Sequence, residues 1–582
     1  MRNRKDAGVR RARTLHLPVE GLERRALMSG NVLAVQAGTI LTLAGDNLAN
    51  EVMVRSGNAP DVIVVDGLAQ TLVNGSNQPL EFTGVRRLDV TLGGGDDWFK
   101  GTDFNLNTAA FGQVNIDAGN GDDRVELKNT TIFAAASVPV SRPSITIRGD
   151  NSTAQSEPTT GNDTIQVANT RIVAEGASAT QQSMAALTIY GDYNIGGEIT
   201  GGNDSIMVTD TEMVAGGARS QAVSITIYGD YNVADPGASS TIGGGNDSIS
   251  VTNTGLTSSG AALALNSTTI TIEGDYNDAR GSAAAGSTAS VGGGNDSISV
   301  TNVNASSAGN SRSNLVDITV RGTGATAALL AGPPSATGPA VTSTVGGGND
   351  AISIANVSLS TADSSTGDTS RITVSGDEAL ATAVAPGDAV TSIGGGNDSI
   401  TLDNVDATAA GGVISDRVDI EITGDLTSAF AQSGGAARVE VGGGNDDIAV
   451  RNSTFTADDE SARAVIGFIE IRGEAGAFDG TGVPASVGEG DDRVSLRNVQ
   501  LSALFGRVTV DTLAGDDELD VQNSSFGPFF ASLGEGDDAA LFNANTFITA
   551  ELDGGPGYDV LSAHNNVGVL TFSNFEEENI TP

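Results

Sequence analysis

The fold of this chain is decided by the stretch VGGGNDSISVTN, Val291 to Asn302, because that stretch recurs along the sequence. Near-identical versions begin at four other positions, Ile242, Val345, Ile393 and Val441. Degenerate copies bring the total to thirteen and begin at Leu92, Ala118, Thr160, Thr200, Val487, Leu513, Leu533 and Asp553. A repeat of this kind is typical of solenoids, propellers and arrays.

Each copy predicts a turn, then a short strand, then a corner. Three consecutive glycines suit a turn that needs positive φ or close approach of two backbones. After them, apolar residues such as Ile298 and Val300 alternate with serines, which is the pattern of a half-buried strand. Most strands end at an asparagine, and we expect these side chains to form a stacked amide ladder. The corner residues are Asn169, Asn253, Asn302, Asn356, Asn404, Asn452, Asn498 and Asn523.

A second series of eight strands lies between the copies, beginning at Ile145, Leu187, Ile225, Ile270, Ile318, Ile372, Ile420 and Ile469. Each strand is followed by glycine and usually an acid, so we interpret its end as a degenerate version of the same turn. Asp517, Asp538 and Asp559 follow one another at steps of 21 residues, whereas steps in the middle of the chain run from 40 to 54 residues. Each long step would then hold two coils, which gives about twenty-one coils and a rod of roughly 100 Å at ~4.8 Å per coil.

Composition agrees with one elongated all-β domain, a parallel β-helix or β-solenoid. The chain has 582 residues, of which 77 are glycine and only 4% are aromatic. A compact globular core of this size normally uses more aromatic side chains. The chain has no cysteine, which excludes disulfides and thiolate metal sites. No apolar run approaches the ~20 residues of a membrane helix, so we expect no transmembrane segment.

The charge of the chain is strongly negative, with a formal net charge of −42. The first 30 residues hold eight Lys and Arg against three Asp and Glu, so the remainder carries −47. Such a surface repels nucleic acid and attracts cations. We therefore expect no nucleic-acid partner; plain solubility, as in many exported acidic proteins, is the alternative reason for the charge.

The chain divides into four predicted regions. They are a basic leader or disordered tail (1–30), N-terminal capping coils (31–90), the repeat array (91–560), and a closing strand with an acidic tail (561–582). Phe572 and Phe575 are expected to close the last coil. The segment VEGLERRALMSG, Val19 to Gly30, resembles the Leu-Glu-x-Arg-x-Leu-type leader of large bacterial surface and exported repeat proteins. That resemblance implies an extracellular or cell-surface location.

The turn GGPGYDVLS, Gly554–Ser562, fits the pattern G-G-x-G-x-D-x-U-x. It resembles the calcium-binding nonapeptide of repeats-in-toxin (hemolysin-type) proteins. The other turns keep most of the pattern, as in Gly292, Gly294, Asp296 and Ile298. That family strings its nonapeptides end to end, whereas here one occurs per 21 residues or more. The resemblance implies calcium, whereas the longer spacing indicates an architecture nearer a three-sided parallel β-helix than a two-sided β-roll.

The candidate calcium ligands are the aspartates in the sixth position of the turns. In a stack these carboxylates lie ~4.8 Å apart and raise one another's pKa. A calcium ion relieves that repulsion because it accepts 6–8 oxygen ligands. In the alternative, each aspartate caps its own turn by accepting backbone N–H bonds. The candidates are Asp123, Asp247, Asp296, Asp350, Asp398, Asp446, Asp492, Asp517, Asp538 and Asp559.

We expect calcium chiefly at the C-terminal turns, where Asp491, Asp516 and Asp537 add further acids beside the candidates. Central coils are expected to bind less, because their partner acids thin out to Asp192, Asp230, Asp275, Asp377 and Asp425, with Thr323 breaking the series. Five of the six tyrosines also lie in central turns: Tyr190, Tyr193, Tyr228, Tyr231 and Tyr276. An exposed aromatic row can bind sugar rings, and mutual stacking is the alternative.

Two function classes follow from these features. We expect an exported or cell-surface scaffold or adhesin, stabilised by calcium, that presents loops to a surface, a matrix or a polysaccharide. The alternative is a carbohydrate-active β-helix enzyme, a polysaccharide lyase or glycosidase. Histidine occurs only at His16 and His564, so no Ser-His-Asp set can form. Uniform turns favour the scaffold, and a local groove of non-repeating Arg, Lys and Asp would favour the enzyme.

Overall fold

A computed structural model of the chain describes residues 30–581 apart from 60, 109–111, 136–139, 153–160, 177–181, 197, 218–219, 235–238, 261–264, 284–286, 310, 332–340, 365, 386–388, 411–414, 434–436, 442, 458–463, 480–484 and 488–489. Within these ranges the chain forms fifty strands and no helix, which confirms the all-β solenoid. No described helix is therefore long and apolar enough to cross a membrane. The predicted leader lies outside the described residues, except for Gly30.

The strands form three stacked sheets. Sheet 1 contains Asn31–Ala37, Ile40–Ala44, Leu72–Val73, Arg87–Gly94, Gln113–Asn120, Val140–Ser141, Ser144–Ser152, Gln182–Gly196, Gln221–Ala234, Leu265–Ala283, Ser313–Ala331, Gly367–Ala385, Ser415–Ser433, Ala464–Asp479, Phe505–Asp511, Pro528–Ser532, Thr546–Asp553 and Val567–Ser573. Sheet 3, the smallest, contains Glu198–Thr200, Ser239–Gly243, Thr288–Gly292, Val341–Gly346, Ala389–Gly394, Ala437–Val441 and Ala485–Val487.

Sheet 2 carries the strands that follow the glycine-rich turns, and in most coils a second strand after the asparagine corner. Its members are Glu51–Ser56, Val62–Gly67, Leu80–Thr83, Trp98–Thr102, Asn105–Thr108, Arg124–Lys128, Thr131–Ala134, Thr164–Ala168, Arg171–Glu175, Ser205–Thr209, Glu212–Gly217, Ser248–Thr252, Gly255–Gly260, Ser297–Thr301, Asn304–Ala308, Ala351–Ala362, Ser399–Ala410, Asp447–Arg451, Thr454–Ala457, Arg493–Arg497, Gln500–Ser502, Glu518–Gln522, Ala539–Asn543, Val560–His564 and Glu577–Thr581.

The pairing register corrects the predicted number of coils. Val345 pairs directly with Ile393, the same position in the next copy of the repeat, and no described strand stacks between them. The strand that begins at Ile270 pairs in sheet 1 with the one at Ile318, and not with the turn strands of sheet 2. Each long step is therefore one large coil. Fifteen strands of sheet 1 stack one per coil, with Asn31–Ala37, Leu72–Val73 and Val140–Ser141 as additions. At ~4.8 Å per coil the stack is about 70 Å long, and the expected twenty-one coils and roughly 100 Å were wrong.

Two hydrophobic cores run along the stack. The main core lies between sheets 1 and 2, where alternate residues such as Ile272 and Val300 are fully buried. In the central coils the long strands of sheet 1 continue past this core and face sheet 3. Inward residues of both sheets form a second core of small side chains, among them Ala279 of sheet 1 and Ala289 and Val291 of sheet 3. The additional residues of the central coils therefore build a side lobe that shares one boundary with the main core.

The two ends of the stack differ. At the N-terminal end, Asn31–Ala37 pairs antiparallel with Ile40–Ala44, which in turn pairs in parallel with Arg87–Gly94. Antiparallel strands thus lie outside the first parallel coil, where a stack otherwise leaves a strand edge unpaired. At the other end, the acidic run predicted as a tail enters the strand Glu577–Thr581, which pairs with Val560–His564.

Candidate metal centre

The turn aspartates form one continuous column along the stack, which we call the first column. Oδ1 of each aspartate accepts a hydrogen bond from the backbone N–H of the residue at the equivalent position in the preceding coil. For example, Asp247 N–H donates to Asp296 Oδ1 at 2.8 Å. These bonds run from Asn50 to Asp559, and every aspartate is at most 2% exposed. The members are Asp97, Asp123, Asp163, Asp204, Asp247, Asp296, Asp350, Asp398, Asp446, Asp492, Asp517, Asp538 and Asp559. All ten predicted candidates belong to the first column. Each lies in the turn of its own coil and accepts the hydrogen bond that caps the turn of the preceding coil.

A second column of acids, which we call the second column, lies in the long strands of sheet 1. These are the strands of the second series predicted from the sequence, in which a glycine and usually an acid follow the apolar residues. Asp150, Asp192, Asp230 and Asp275 are adjacent in register and buried, followed by Thr323, Asp377 and Asp425. Their carboxylates reach back to the glycine turns, where Gly245 N–H donates to Asp230 Oδ2 at 2.6 Å. Gly294 N–H donates to Asp275 Oδ2 at the same distance in the next coil. The second column is thus tied to the first through the turn backbone.

Glycines make this close approach possible. A Cβ on Gly274 would lie 1.8 Å from Asp296 Oδ2, so only glycine fits beside the first-column carboxylate. A Cβ on Gly294 would lie 1.4 Å from the carbonyl oxygen of Gly245 in the preceding coil. Both distances are far below any real contact. The glycines of the repeat are therefore required by packing between coils and carboxylates, in addition to their conformational freedom.

The two columns come together and form groups of three carboxylates, which lie between the main core and the side lobe in the coils where sheet 3 is present. In each group the ligand oxygens lie within 4.8 Å of one another. Two members come from the first column and one from the second, except in the last group, where the proportions are reversed. The groups are Asp123, Asp150 and Asp163; Asp163, Asp192 and Asp204; Asp204, Asp230 and Asp247; Asp247, Asp275 and Asp296; and Asp377, Asp398 and Asp425.

These groups reverse the expected ranking of the turns. Among the described residues, none of them includes Asp492, Asp517, Asp538 or Asp559, although the acids are densest there in the sequence. The neighbouring acids Asp491, Asp516 and Asp537 point outward and form their own exposed column, in which Asp537 N–H donates to Asp516 Oδ1 at 2.8 Å. Two acids adjacent in sequence, such as Asp516 and Asp517, therefore point to opposite sides of the backbone, one to solvent and one to the interior. The second-column aspartates, distant in sequence, complete the groups of three.

The groups contain buried oxygens that no donor of the described residues reaches. They include Oδ2 of Asp163, Asp204, Asp247 and Asp296, and Oδ1 of Asp192, Asp230 and Asp275. Asp230 lies within hydrogen-bond reach of Asp192 and Asp275, and any bond between such carboxylates needs a shared proton. An unpaired buried carboxylate is costly, so each group must take up protons or a cation.

Burial dominates the ionisation of these groups. Burial, followed by the charge of Asp192, raises the pKa of Asp150 to about 9. Burial and the charges of Asp377 and Asp350 raise the pKa of Asp398 to about 9. The pKa of Asp204 is held well above its ordinary value, first by burial and then by Asp192 and Asp247. Without a cation, the centre of each group therefore holds protons at neutral pH.

The residues present fit a hard cation. Each group offers three carboxylate oxygens. A carbonyl oxygen lies nearby in one of them: a Cβ built on Gly229 would be 1.8 Å from Asp247 Oδ2 and 2.6 Å from the carbonyl oxygen of Gly274. Carboxylate and carbonyl oxygens suit calcium or magnesium, whereas zinc sites in proteins favour histidine and cysteine ligands. Calcium takes six to eight oxygens, so ligands beyond these four would have to be water or further carbonyls.

Two amide ladders on the surface hold the turns in register. At the corners, Asn302 has a φ of 54° and its Nδ2 donates to Asn253 Oδ1 at 3.0 Å, which confirms the predicted ladder. A second ladder, missed in the sequence, uses the asparagine that stands just before the first-column aspartate in each central turn. Asn295 donates from its backbone N–H and from Nδ2 to Asn246 Oδ1, at 3.0 and 2.9 Å. The signal for it was the recurrence of Asn-Asp in every central turn.

The tyrosines stack on one another, as the alternative interpretation predicted. The Tyr190 and Tyr228 rings are 5.3 Å apart and nearly parallel. Tyr193, Tyr231 and Tyr276 form a second stack with centroid distances of 5.1 and 4.8 Å. Both stacks lie partly exposed on the outer face of sheet 1.

A charged groove on the outer face of sheet 1 was also missed. It has a volume of about 500 Å³ and includes Arg371, Arg417, Asp419, Glu470 and Arg507. Arg417 Nε donates to Asp419 Oδ2 at 2.5 Å. These residues come from four successive coils, with Arg417 and Asp419 in the same strand, and the set does not repeat in the other described coils. The signal available in the sequence was the presence of Arg371, Arg417 and Arg507 in strands of so acidic a chain.

The sequence matches no protein-family model and no curated protein. The structure establishes a parallel β-solenoid with recurring groups of buried aspartates. The likeness of the turns to repeats-in-toxin nonapeptides rests on the turn residues alone.

Proposed function

We propose that this chain is an exported or cell-surface scaffold or adhesin whose central coils are stabilised by calcium. The observation that supports the proposal is the recurrence of three buried carboxylates with unpartnered oxygens at the boundary of the two cores. A solenoid that only needed turn caps would require one oxygen of each first-column aspartate. The second column adds acids whose Oδ2 accepts from a glycine N–H of the turn, while Oδ1 of Asp230 and of Asp275 has no partner within the described residues.

Calcium bound in a group would neutralise the carboxylates and replace their protons. The chain itself fixes the geometry of each group. Asp204 N–H holds Asp247 Oδ1 at 2.8 Å, which leaves Asp247 Oδ2 directed into the group. Gly245 N–H holds Asp230 from the other side. These backbone bonds orient the carboxylates before any ion arrives, which lowers the cost of ordering them on binding.

The scaffold role is supported by the uniform bonding of the stack. The same turn, ladder and column recur in successive coils, while the lengths of the segments between them vary. Variable segments on one face of a repeat protein are often its working surface. Export is supported by the resemblance of residues 19–30 to surface-protein leaders.

Metal content and melting temperature test the calcium proposal together. We expect purified protein to hold several calcium ions by mass spectrometry of metals, and chelation with EGTA to lower Tm. Added calcium should restore Tm, because a ligand that binds only the folded state stabilises it. Asp230→Asn should reduce both the ion count and the gain in Tm. Asp516→Asn, in the exposed column, is the matched control and should change neither.

An unchanged Tm after chelation, with no copurifying metal, would show that the groups hold shared protons instead. The proposal of calcium would then fail, while the solenoid would stand.

The charged groove favours a second candidate, a polysaccharide lyase. Its arginines and acids are local and non-repeating, which is the feature expected of an enzyme. In β-elimination a base removes the proton at C5 of a uronate, the bond from C4 to the linking oxygen breaks as a C4–C5 double bond forms, and the departing oxygen takes up a proton. Incubation with polygalacturonate should then produce unsaturated ends that absorb ultraviolet light. Absence of such products, with wild-type and Arg417→Ala protein behaving alike, would exclude this activity on that substrate.

A further inference from the structure

One tyrosine stack ends abruptly in the middle of the molecule. Tyr193, Tyr231 and Tyr276 occupy equivalent positions in three successive coils. The next coil places Gly324 at that position, and the one after it Glu378. The ring of Tyr276 lies 4.8 Å from that of Tyr231 and within 8° of parallel to it. The opposite face of Tyr276 therefore has no ring of the described residues to cover it.

Gly324 is not required by the backbone. It does not adopt a positive φ. A Cβ built on it would lie 3.5 Å from its nearest neighbour, the carbonyl oxygen of Asp275, and 4.0 Å from Cδ2 of Tyr276, which are ordinary contacts. A larger side chain would fit, unlike at Gly274. The glycine instead leaves open a groove of about 430 Å³ beside the uncovered ring.

Hydrogen-bonding groups line the same groove. Arg321 pairs with Glu273 at 2.5 Å through Nη1 and with Glu378 at 2.6 Å through Nε. Glu273 is only 4% exposed, and its Oε2 has no partner within the described residues. That oxygen lies 3.9 Å from the position of a Cβ on Gly324. The rim is apolar, with Leu380 and Leu426 about 38% and 39% exposed.

An aromatic face beside fixed polar groups is suited to a sugar ring, whose C–H face stacks on the aromatic ring while its hydroxyls bond at the edge. Tyr276 and Glu378 are two coils apart, roughly 9.6 Å, which leaves room for one ring. Two carboxylates face one guanidinium, so the groove does not favour an anionic sugar. We propose that this groove, the Tyr276 notch, binds one neutral sugar ring of a polysaccharide. The proposal gives the adhesin a ligand class and so rests on the function proposed above.

Isothermal titration with cellohexaose and chitohexaose tests the notch, with polygalacturonate as the anionic comparison. We expect wild-type protein to bind at least one of the neutral oligosaccharides. Gly324→Tyr continues the stack, fills the notch and should abolish binding while keeping or raising Tm. Gly255→Tyr is the matched control, because Gly255 has open space around it and lies outside the groove. Tyr276→Ala should weaken binding about tenfold, through loss of the aromatic contact.

Failure to bind either neutral oligosaccharide, or binding that Gly324→Tyr leaves unchanged, would overturn the proposal. Preference for polygalacturonate would overturn it as well, and would direct attention to the arginine groove. The calcium dependence of Tm is measured separately on the same protein. If no oligosaccharide binds but Tm still depends on calcium, only the proposal of a sugar site at the Tyr276 notch is rejected.

Discussion

Asp517 donates its backbone N–H to Oδ1 of Asp538, one coil later, at 2.8 Å. The same bond joins each pair of neighbours in the first column, so every turn is held by the side chain of the next coil. In the groups of three, the accepting oxygen and the oxygen without a partner are different atoms of one carboxylate, as Oδ1 and Oδ2 of Asp247 are. Structural and ionic roles of these aspartates can therefore be separated by substitution.

Asp538 lies outside the three-carboxylate groups and isolates the structural role. Asp538→Ala leaves the buried Asp517 N–H without its acceptor and should destabilise the fold by about 1–3 kcal/mol. Asp538→Asn keeps an oxygen at that position and should cost much less. Urea unfolding in EGTA and in calcium measures both. Equal losses for the two variants would show that charge, and not the hydrogen bond, matters at this position.

The raised pKa values predict an unusual dependence of stability on pH. Burial raises the folded pKa of Asp150 and Asp350 to about 9, against an ordinary 3.8. Between those values the folded state binds more protons than the unfolded state, so stability falls as pH rises. The contribution is fully present below about pH 3.8 and is lost as pH approaches 9. In EGTA, Tm should therefore decline steadily from pH 5 to 9.

Calcium should reverse that trend. Deprotonated carboxylates bind the ion, so the gain in Tm on adding calcium should increase with pH. Scanning calorimetry at several pH values, with and without the ion, gives both curves. A metal-free Tm that stays flat over this range would mean that these carboxyls ionise normally, contrary to their burial.

Gly274 tests the packing of sheet 1 against the first column. Gly274→Ala places a Cβ 1.8 Å from Asp296 Oδ2 and must displace the carboxylate or the strand. We expect a large fall in Tm and loss of calcium at this coil. Gly394→Ala meets no atom of the described residues within 4 Å, apart from its chain neighbours, and is the control. Similar Tm values for the two variants would contradict the close approach seen here.

The dimensions of the particle test the number of coils. A stack of fifteen coils should give a maximum dimension of roughly 70 Å for the described part of the chain, with a wide middle. Small-angle scattering of a variant lacking residues 1–29 measures it. A uniform thin rod of roughly 100 Å would restore the two-coil interpretation of each long step.

The sequence was sufficient to predict the fold class because turn, alternation and corner are all local signals. The repeat spacing alone assigned Asn302 to the corner ladder and Asp296 to the column of turn aspartates. The number of coils was not predictable in this way. The strands that contain Ile270 and Ile298 both adjoin Gly- and Asp-containing turns, and only the register shows that they lie on different sheets.

The candidate metal site was half predictable for the same reason. The first column follows from one repeated motif, so its members could be named. The third carboxylate of a group, such as Asp230, comes from a strand on another face. Neighbouring acids such as Asp516 misled the ranking, because alternation along the chain turns them to solvent.

The unequal size of the coils has a mechanical consequence. Among the described residues, the parallel strands of each coil pair with those of the coil before and the coil after, so a chain pulled from its C-terminal end should unravel one coil at a time. Coils 21 residues long would release roughly 70 Å of extended chain, and those 48 residues long roughly 160 Å. Tension would thus extend the chain in small steps first and in larger steps once the coils of the side lobe are reached.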